Sequence, residues 1–357
     1  MINLDNRITL KEKIREARHW LGFLIFIFFV GSCVKPTKVI SIDGKTMGTT
    51  YNIRIVVVKK MEIDESKIKI DVDSLLIRIN KQMSHYIPQS EISLFNDNAS
   101  IQPIKVSTEF YSVVLQSKKL TQLTSGAFDI TVAPLVDYWG FGPSASPLES
   151  GQLPDTLKIL ELMEFVSSEN LVARDGQLIK SNPNTRLDLS AIAKGYGVDE
   201  VFMQLGAMGF TDYMVEIGGE VRCSGNNDSG QPWRIGIDLP ELNTPPGKNL
   251  QGIVQLKDRA LATSGDYRNF LIINGEIHSH AIDPRTGFPV KTRVASASVV
   301  APTCAEADAL ATALMVLGVE PGIDLINRLD EIDAALIIRD GDGIYRTVVS
   351  SEFKWAE

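Results

Sequence analysis

The chain has 357 residues, 44% hydrophobic and 22% charged, with 27 Gly and 16 Pro, proportions that exclude a disordered, collagen-like or coiled-coil protein. Its 36 basic residues face 44 acidic ones, a net charge of −8, and without a long Lys/Arg block there is no electrostatic footprint for a nucleic-acid partner. Three cysteines are too few for a disulfide scaffold.

Residues 1–19 are polar and carry Arg7, Lys11, Lys13, Arg15 and Arg18; residues 20–30 are then free of charge. A membrane-crossing helix needs roughly 20 apolar residues, so this run has instead the length of a signal-peptide core. Val30-Gly31-Ser32-Cys33 resembles a bacterial lipobox. That resemblance implies a lipoprotein signal peptide over 1–32 and a lipid on Cys33. The domain over 33–357 would then be held on a membrane surface facing the periplasm, the inner membrane being the expected one. An uncleaved signal anchor is the alternative. Cys223 and Cys304 remain, and the sequence leaves open whether they pair.

Residues 51–58 are β-branched and partly alternating, which predicts a strand. Ile68, Val72, Leu75, Leu76, Ile79 and Met83 fall at helical spacing, and a second helix is expected over 107–124, stopped by Gly126. Four prolines over 134–156 predict a long ordered loop. A third helix is expected over 190–205 with Asp188 as its natural N-cap and Gly206 as its stop. Surface excursions fill 225–249 around a strand at 233–237. Asn274-Gly275 between two apolar runs predicts a hairpin with a type I′ turn, and a last hairpin turns at 340–343. Thr303-Cys-Ala-Glu306 has capping-box spacing and opens an Ala-rich helix closed by Gly318. Strands and helices mix without regular βαβ alternation, so the fold class is α+β, with mixed or antiparallel sheets and packed helices.

Common nucleotide, zinc and serine-hydrolase motifs are missing. Asp308 and Thr312 lie at i and i+4 on the Ala-rich helix, which is apolar all round and therefore buried. A buried carboxylate needs a partner: the two oxygens could form half a site for a hard cation such as Mg²⁺, or Asp308 could be satisfied by backbone donors near the helix start. Lys194 reads equally as a solvated lysine or a phosphate contact. His278 and His280 share one face of a strand, as a metal pair or as two surface histidines. Ile217-Gly-Gly-Glu220 is a tight bend that would admit a ligand or merely turn the chain.

Taken in order, the segments resemble the ApbE family of FAD:protein FMN transferases. The matching stretches are Met47-Gly-Thr-Thr-Tyr51, Met83-Ser-His-Tyr-Ile-Pro-Gln-Ser-Glu-Ile92, Gly126-Ala-Phe-Asp129, and Pro134-Leu-Val with Trp139-Gly-Phe-Gly-Pro143. Asp188-Leu-Ser-Ala-Ile-Ala-Lys-Gly195, Ile217-Gly-Gly-Glu220, Ser264-Gly-Asp-Tyr267, His280-Ala-Ile-Asp-Pro-Arg-Thr-Gly287 and Ala307-Asp-Ala-Leu-Ala-Thr312 complete the set. The resemblance spans about 40–350 and implies an ApbE-like fold.

Carried over by position, the resemblance implies Mg²⁺ held by Asp308, Thr312 and the Ala191 carbonyl. It implies an FAD site lined by Met47, Tyr86, Ala127, Phe128, Asp129, Asp188, Lys194 and Ile282, with His280 assisting the chemistry. The implied reaction moves FMN from FAD to a Thr or Ser hydroxyl as a phosphoester, releasing AMP. In the family the acceptor motif is Asp-x-x-[Ser/Thr]-Gly-Ala-[Ser/Thr], in subunits of sodium-pumping NADH:quinone oxidoreductase or Rnf complexes. Two rivals stand beside it: an Mg²⁺-dependent FAD pyrophosphatase, and a lipoprotein that binds FAD without chemistry.

Overall fold

The computed structural model describes residues 36–143, 154–241, 244–266, 270–273, 276–340 and 344–356. The expected signal peptide, Cys33, residues 144–153 of the expected loop, the Asn274-Gly275 turn and the turn residues 341–343 lie outside the described residues. No described helix is long and apolar enough to cross a membrane.

The central element is an eight-stranded sheet. In spatial order it runs β1 (Thr37–Thr46), β2 (Thr49–Val58), β6 (Tyr213–Ile217), β7 (Glu220–Ser224), β10 (Ala260–Gly265), β13 (Val294–Ala301), β14 (Asp333–Arg339) and β15 (Tyr345–Val349). Every neighbouring pair is antiparallel, and with helices packed against it the architecture is the expected α+β. Strand β13 is buried at every position, because both faces of the sheet are covered. One face carries the main core, in which α7 (Cys304–Leu317) packs on β10 and β13. Small buried side chains recur on both elements: Ala305, Ala307, Ala309, Ala311 and Ala313 on the helix, Ala295, Ala297 and Ala301 on the strand. The other face carries a smaller core beneath the hairpin β8 (Trp233–Asp238) and β9 (Leu250–Leu256).

The helix α1 (Glu65–Met83) buries the six apolar residues that its spacing marks, and Asp64 caps it by accepting from the Lys67 amide. Next come α2 (Glu91–Asp97), β3 (Ile104–Lys105) and α3 (Thr108–Leu123), the last within the expected 107–124. The small sheet is completed by β4 (Leu171–Arg174) and β5 (Gln177–Lys180). The hairpin β11 (Phe270–Ile273) with β12 (Glu276–Ser279) pairs in the expected register, Ile273 opposite Glu276.

Four expectations need correction. The stretch 134–156 is not all loop: α4 (Ala133–Tyr138) starts it, because Pro134 sits in the first turn, where a missing N–H costs nothing. The helix expected over 190–205 is α6 (Ala193–Ala207), and it passes through Gly206 to end beyond it, with Gly209 taking the left-handed conformation (φ 90°). Asp188 does not cap it; its carboxylate accepts from the Ser190 amide in a local turn, and α6 begins without a side-chain cap. The Thr303–Glu306 capping box does not form either, since Thr303 makes no capping bond. The start of α7 is instead capped from α6: Asp199 accepts from the Cys304 and Ala305 amides, each at 2.9 Å. A helix N-terminus accepts any well-placed carboxylate, and here the tertiary one wins. Two further helices, α5 (Thr156–Met163) and α8 (Val319–Ile326), complete the set. Cys223 and Cys304 are free thiols buried in different cores, so no disulfide joins them.

Candidate active site

The site forms where the N-terminal turns of α6 and α7 meet. Their backbones touch at Gly195: a Cβ there would lie 2.4 Å from the Cys304 carbonyl oxygen and 2.7 Å from Ala305 Cα. This closeness lets the Gly195 amide donate to Asp308 Oδ2 at 3.0 Å. Lys194, the neighbouring residue, places its ammonium 2.6 Å from Glu220 Oε1 and 3.7 Å from Asp308 Oδ1. Asp308 and Glu220 are only 3% exposed. One turn along α7, Thr312 Oγ1 lies 3.1 Å from Ser264 Oγ on β10.

Two carboxylates around one ammonium leave an excess negative charge in a buried place. Burial, the larger influence, and the charge of Asp308 push the Glu220 carboxyl above the usual carboxylate range, against the opposing pull of Lys194. For Lys194, burial works to lower the ammonium, but Asp308 and Glu220 more than offset it, and its value rises above the ordinary one. Glu220 Oε2 is buried without a hydrogen-bond partner.

Asp308, Thr312, Ser264, Ala191, Glu220 and Lys194 open onto one cavity of about 750 Å³. Apart from Lys194, this set fits a hard cation: oxygen donors only, more carboxylate than ammonium charge, and an orphaned carboxylate oxygen on Glu220. Among the described residues no three His, Cys, Asp or Glu converge on one point. A hard ion such as Mg²⁺ needs no such cluster, since it takes one or two carboxylates and fills its shell with water and phosphate oxygens.

The same cavity is lined by His280, Ile282, Phe128, Asp129, Asp188 and Tyr86. The His280 ring stands edge-on to Phe141, centroids 6.3 Å apart. Ile282 is held in a satellite core with Leu135, Trp139 and Ile159. The turn after it is fixed by the Asp283–Arg285 ion pair and by Trp139 Nε1 donating to the Gly287 carbonyl. Asp129 lines the wall, yet both its oxygens are engaged: Oδ1 accepts from the Thr131 amide and hydroxyl, Oδ2 from the Ser168 amide. Its carboxylate thus shapes the wall, while Ala127 is buried behind it at 1% exposure.

A second, more apolar cavity of about 450 Å³ adjoins the first; Lys194, Ser190, His85 and Tyr86 border both. Met47 lines it, carried at the β1–β2 turn where Met47 and Gly48 have φ of 49° and 72°. Gly197 makes room for Met47, since a Cβ there would come within 2.9 Å of its methyl carbon. Of the site residues that the resemblance implies, all but Ala127 line one or other cavity; Cys33 and the side chain of His278 lie outside what the structure describes.

Sequence reasoning left four residues unassigned. Glu220 was visible only as the end of a bend, and Ser264 only as part of a motif. His85, with Nδ1 3.5 Å from Asp188 Oδ1, borders both cavities. Asp199 is the tertiary cap of α7. An acidic residue on an otherwise apolar helix face was the available signal for Asp199; for the other three it was only their place within stretches that resemble the family.

The ApbE family model matches residues 47–336. An FAD:protein FMN transferase of Vibrio cholerae is 41% identical over 338 residues, 94% of this chain and 98% of the relative. One of Escherichia coli K12 is 34% identical, covering 92% and 94% respectively. Among solved structures, the flavin transferase ApbE from Vibrio cholerae superposes with a TM-score of 0.79 at 40% identity, over 88% of this chain and 98% of that one. The apo flavinyl transferase ApbE of Pseudomonas stutzeri gives 0.79 at 33% identity, over 88% and 95%. Family model, near-full-length relatives and solved structures agree: the chain belongs to the ApbE family.

Proposed function

We propose that this chain transfers FMN from FAD to a Thr or Ser hydroxyl of a target protein, forming a phosphoester and releasing AMP. The observation that carries the reading is the meeting in one cavity of the Asp308–Thr312 face, Lys194 and His280. The relatives named FAD:protein FMN transferase support the same reaction class. The two adjoining cavities suit a ligand with two bulky ends and a charged middle, as FAD has.

Asp308, Thr312 and the Ala191 carbonyl would hold Mg²⁺. When bound, the ion neutralises pyrophosphate charge and steadies the leaving phosphate. Lys194, pinned between two carboxylates, keeps its positive charge at the cavity wall. Met47, Tyr86, Phe128 and Ile282 offer apolar surface for the ring systems, while the fixed Asp129 and Asp188 loops hold the wall's shape. The acceptor oxygen bonds to the FMN-side phosphorus as the bond from that phosphorus to the bridging oxygen breaks, and AMP departs with that oxygen. His280 takes the hydroxyl proton, a role worth about 10²–10⁴-fold in rate. Both the lipid anchor at Cys33 and periplasmic exposure belong to this proposal. An anchored enzyme is well placed to modify membrane-complex subunits bearing Asp-x-x-[Ser/Thr]-Gly-Ala-[Ser/Thr].

The test incubates the purified protein with FAD and Mg²⁺, with and without a protein bearing that motif, and follows AMP. Release that depends on acceptor supports the transferase. Equal release with free FMN in its absence would mean a pyrophosphatase, and bound FAD without AMP would mean a carrier.

A further inference from the structure

Lys194 is held asymmetrically, 2.6 Å from Glu220 and 3.7 Å from Asp308. The shorter distance is a full charge-assisted hydrogen bond, whereas the longer is an ion contact without one. Asp308 Oδ2 is committed to the Gly195 amide, so Oδ1 is the oxygen left to face a cation. Were Glu220 uncharged, the nearest anion for the ammonium would be that oxygen. Closing the gap would occupy and neutralise the last free position on Asp308.

Glu220 is built into this place. It opens β7 directly after Gly218 and Gly219, whose φ of 63° and 103° make the bend that brings it into the cavity. A Cβ on Gly218 would lie 2.9 Å from Thr49 Cγ2 and 3.4 Å from Glu220 Oε2, so the first glycine makes space beside the carboxylate. A carboxylate 3% exposed is costly to bury unless it is paired, and Lys194 is the partner that pairs it.

We propose that Glu220 is a positioning residue: by holding the Lys194 ammonium it keeps Asp308 Oδ1 open to the cation. This rests on the cation site of the proposed function. With Glu220 and Asp308 both ionised the charge count fits, since two carboxylates and one ammonium leave one net negative charge for the ion. Removing Glu220 alone leaves none, and removing Glu220 with Lys194 restores it.

The test is Mn²⁺ binding, read by the loss of the free-ion EPR signal, on the purified protein and its variants without FAD. Glu220→Gln is expected to weaken binding about ten- to a hundredfold, the usual effect of losing an outer-shell partner. Glu220→Gln combined with Lys194→Met is expected to recover wild-type affinity. Lys194→Met alone is expected to bind at least as tightly as wild type, and it keeps the question decidable if Glu220→Gln does not fold. Unchanged affinity in Glu220→Gln, no recovery in the double variant, or weaker binding in Lys194→Met would each overturn the inference. Failure of the underlying site shows separately, as wild-type binding that Asp308→Ala leaves unchanged.

Discussion

Replacing Gly195 by alanine puts a methyl group into backbone. The nearest atoms would be the Cys304 carbonyl oxygen at 2.4 Å, its carbon at 2.6 Å and Ala305 Cα at 2.7 Å, where ordinary contact begins near 3.4 Å. None of these is the movable end of a side chain, so α6 and α7 must separate by about 1 Å, an overpacking cost of about 1–3 kcal/mol. Separation also breaks the Gly195 amide bond to Asp308, worth about 1.5–3 kcal/mol for a charged acceptor. Alanine returns up to about 1 kcal/mol of helix propensity. The net expectation is a destabilisation of about 2–5 kcal/mol, read from the urea midpoint and slope. Gly206→Ala is the control on the same helix, where a Cβ meets only the Tyr213 hydroxyl at 3.0 Å and the change should stay within about 1 kcal/mol. A Gly195→Ala protein as stable as wild type, or stabilised like a solvent-facing helix glycine, would refute the backbone-contact reasoning.

Asp199→Asn should cost about 3–5 kcal/mol, because it leaves the part-buried Arg222 guanidinium, 2.7 Å away, without its anion and weakens the cap of α7; a urea midpoint within error of wild type would contradict this. Lys180 is fully buried, donates to the Asn98 carbonyl at 2.8 Å and is lowered to about 8, by burial first and Arg186 second. Its folded value lies below the ordinary 10.5, so between the two the unfolded chain binds more protons and stability rises with pH. Against a Lys180→Met reference, wild type should gain about 1–3 kcal/mol across that window, and a flat difference would refute it. His280→Asn should lower acceptor-dependent AMP release about 10²–10⁴-fold while FAD affinity, followed by flavin fluorescence, stays near wild type. A parallel loss of FAD binding would remove the proton-accepting role.

What was legible in the sequence was local. Period 3.6 over residues 68–83 and the Asn274-Gly275 hairpin signal depend on near neighbours, and both elements stand where expected. Strand β1 escaped because it buries chiefly Ile40 and Ile42 among polar residues, too few to set a pattern. Gly318 closes α7 as expected, but the two expected N-caps fail for the opposite reason: Asp188 and Thr303 have the right chemistry at the right spacing, yet α6 starts uncapped by a side chain, while Asp199, over a hundred residues away, serves α7. Spacing alone left Asp308 and Thr312 undecided, and family resemblance pointed to a cation. The Glu220–Lys194–Asp308 charge balance was not legible at all, since it joins a β-bend to two helices distant in the chain.

The most direct measurement is the intact mass of a motif-bearing acceptor after incubation with the enzyme, FAD and Mg²⁺, with AMP counted in the same sample. Flavin transfer predicts an acceptor heavier by one FMN less one water, one AMP per modified acceptor, and neither product when Asp308→Ala replaces the enzyme. An unmodified acceptor beside accumulating AMP and free FMN would contradict it.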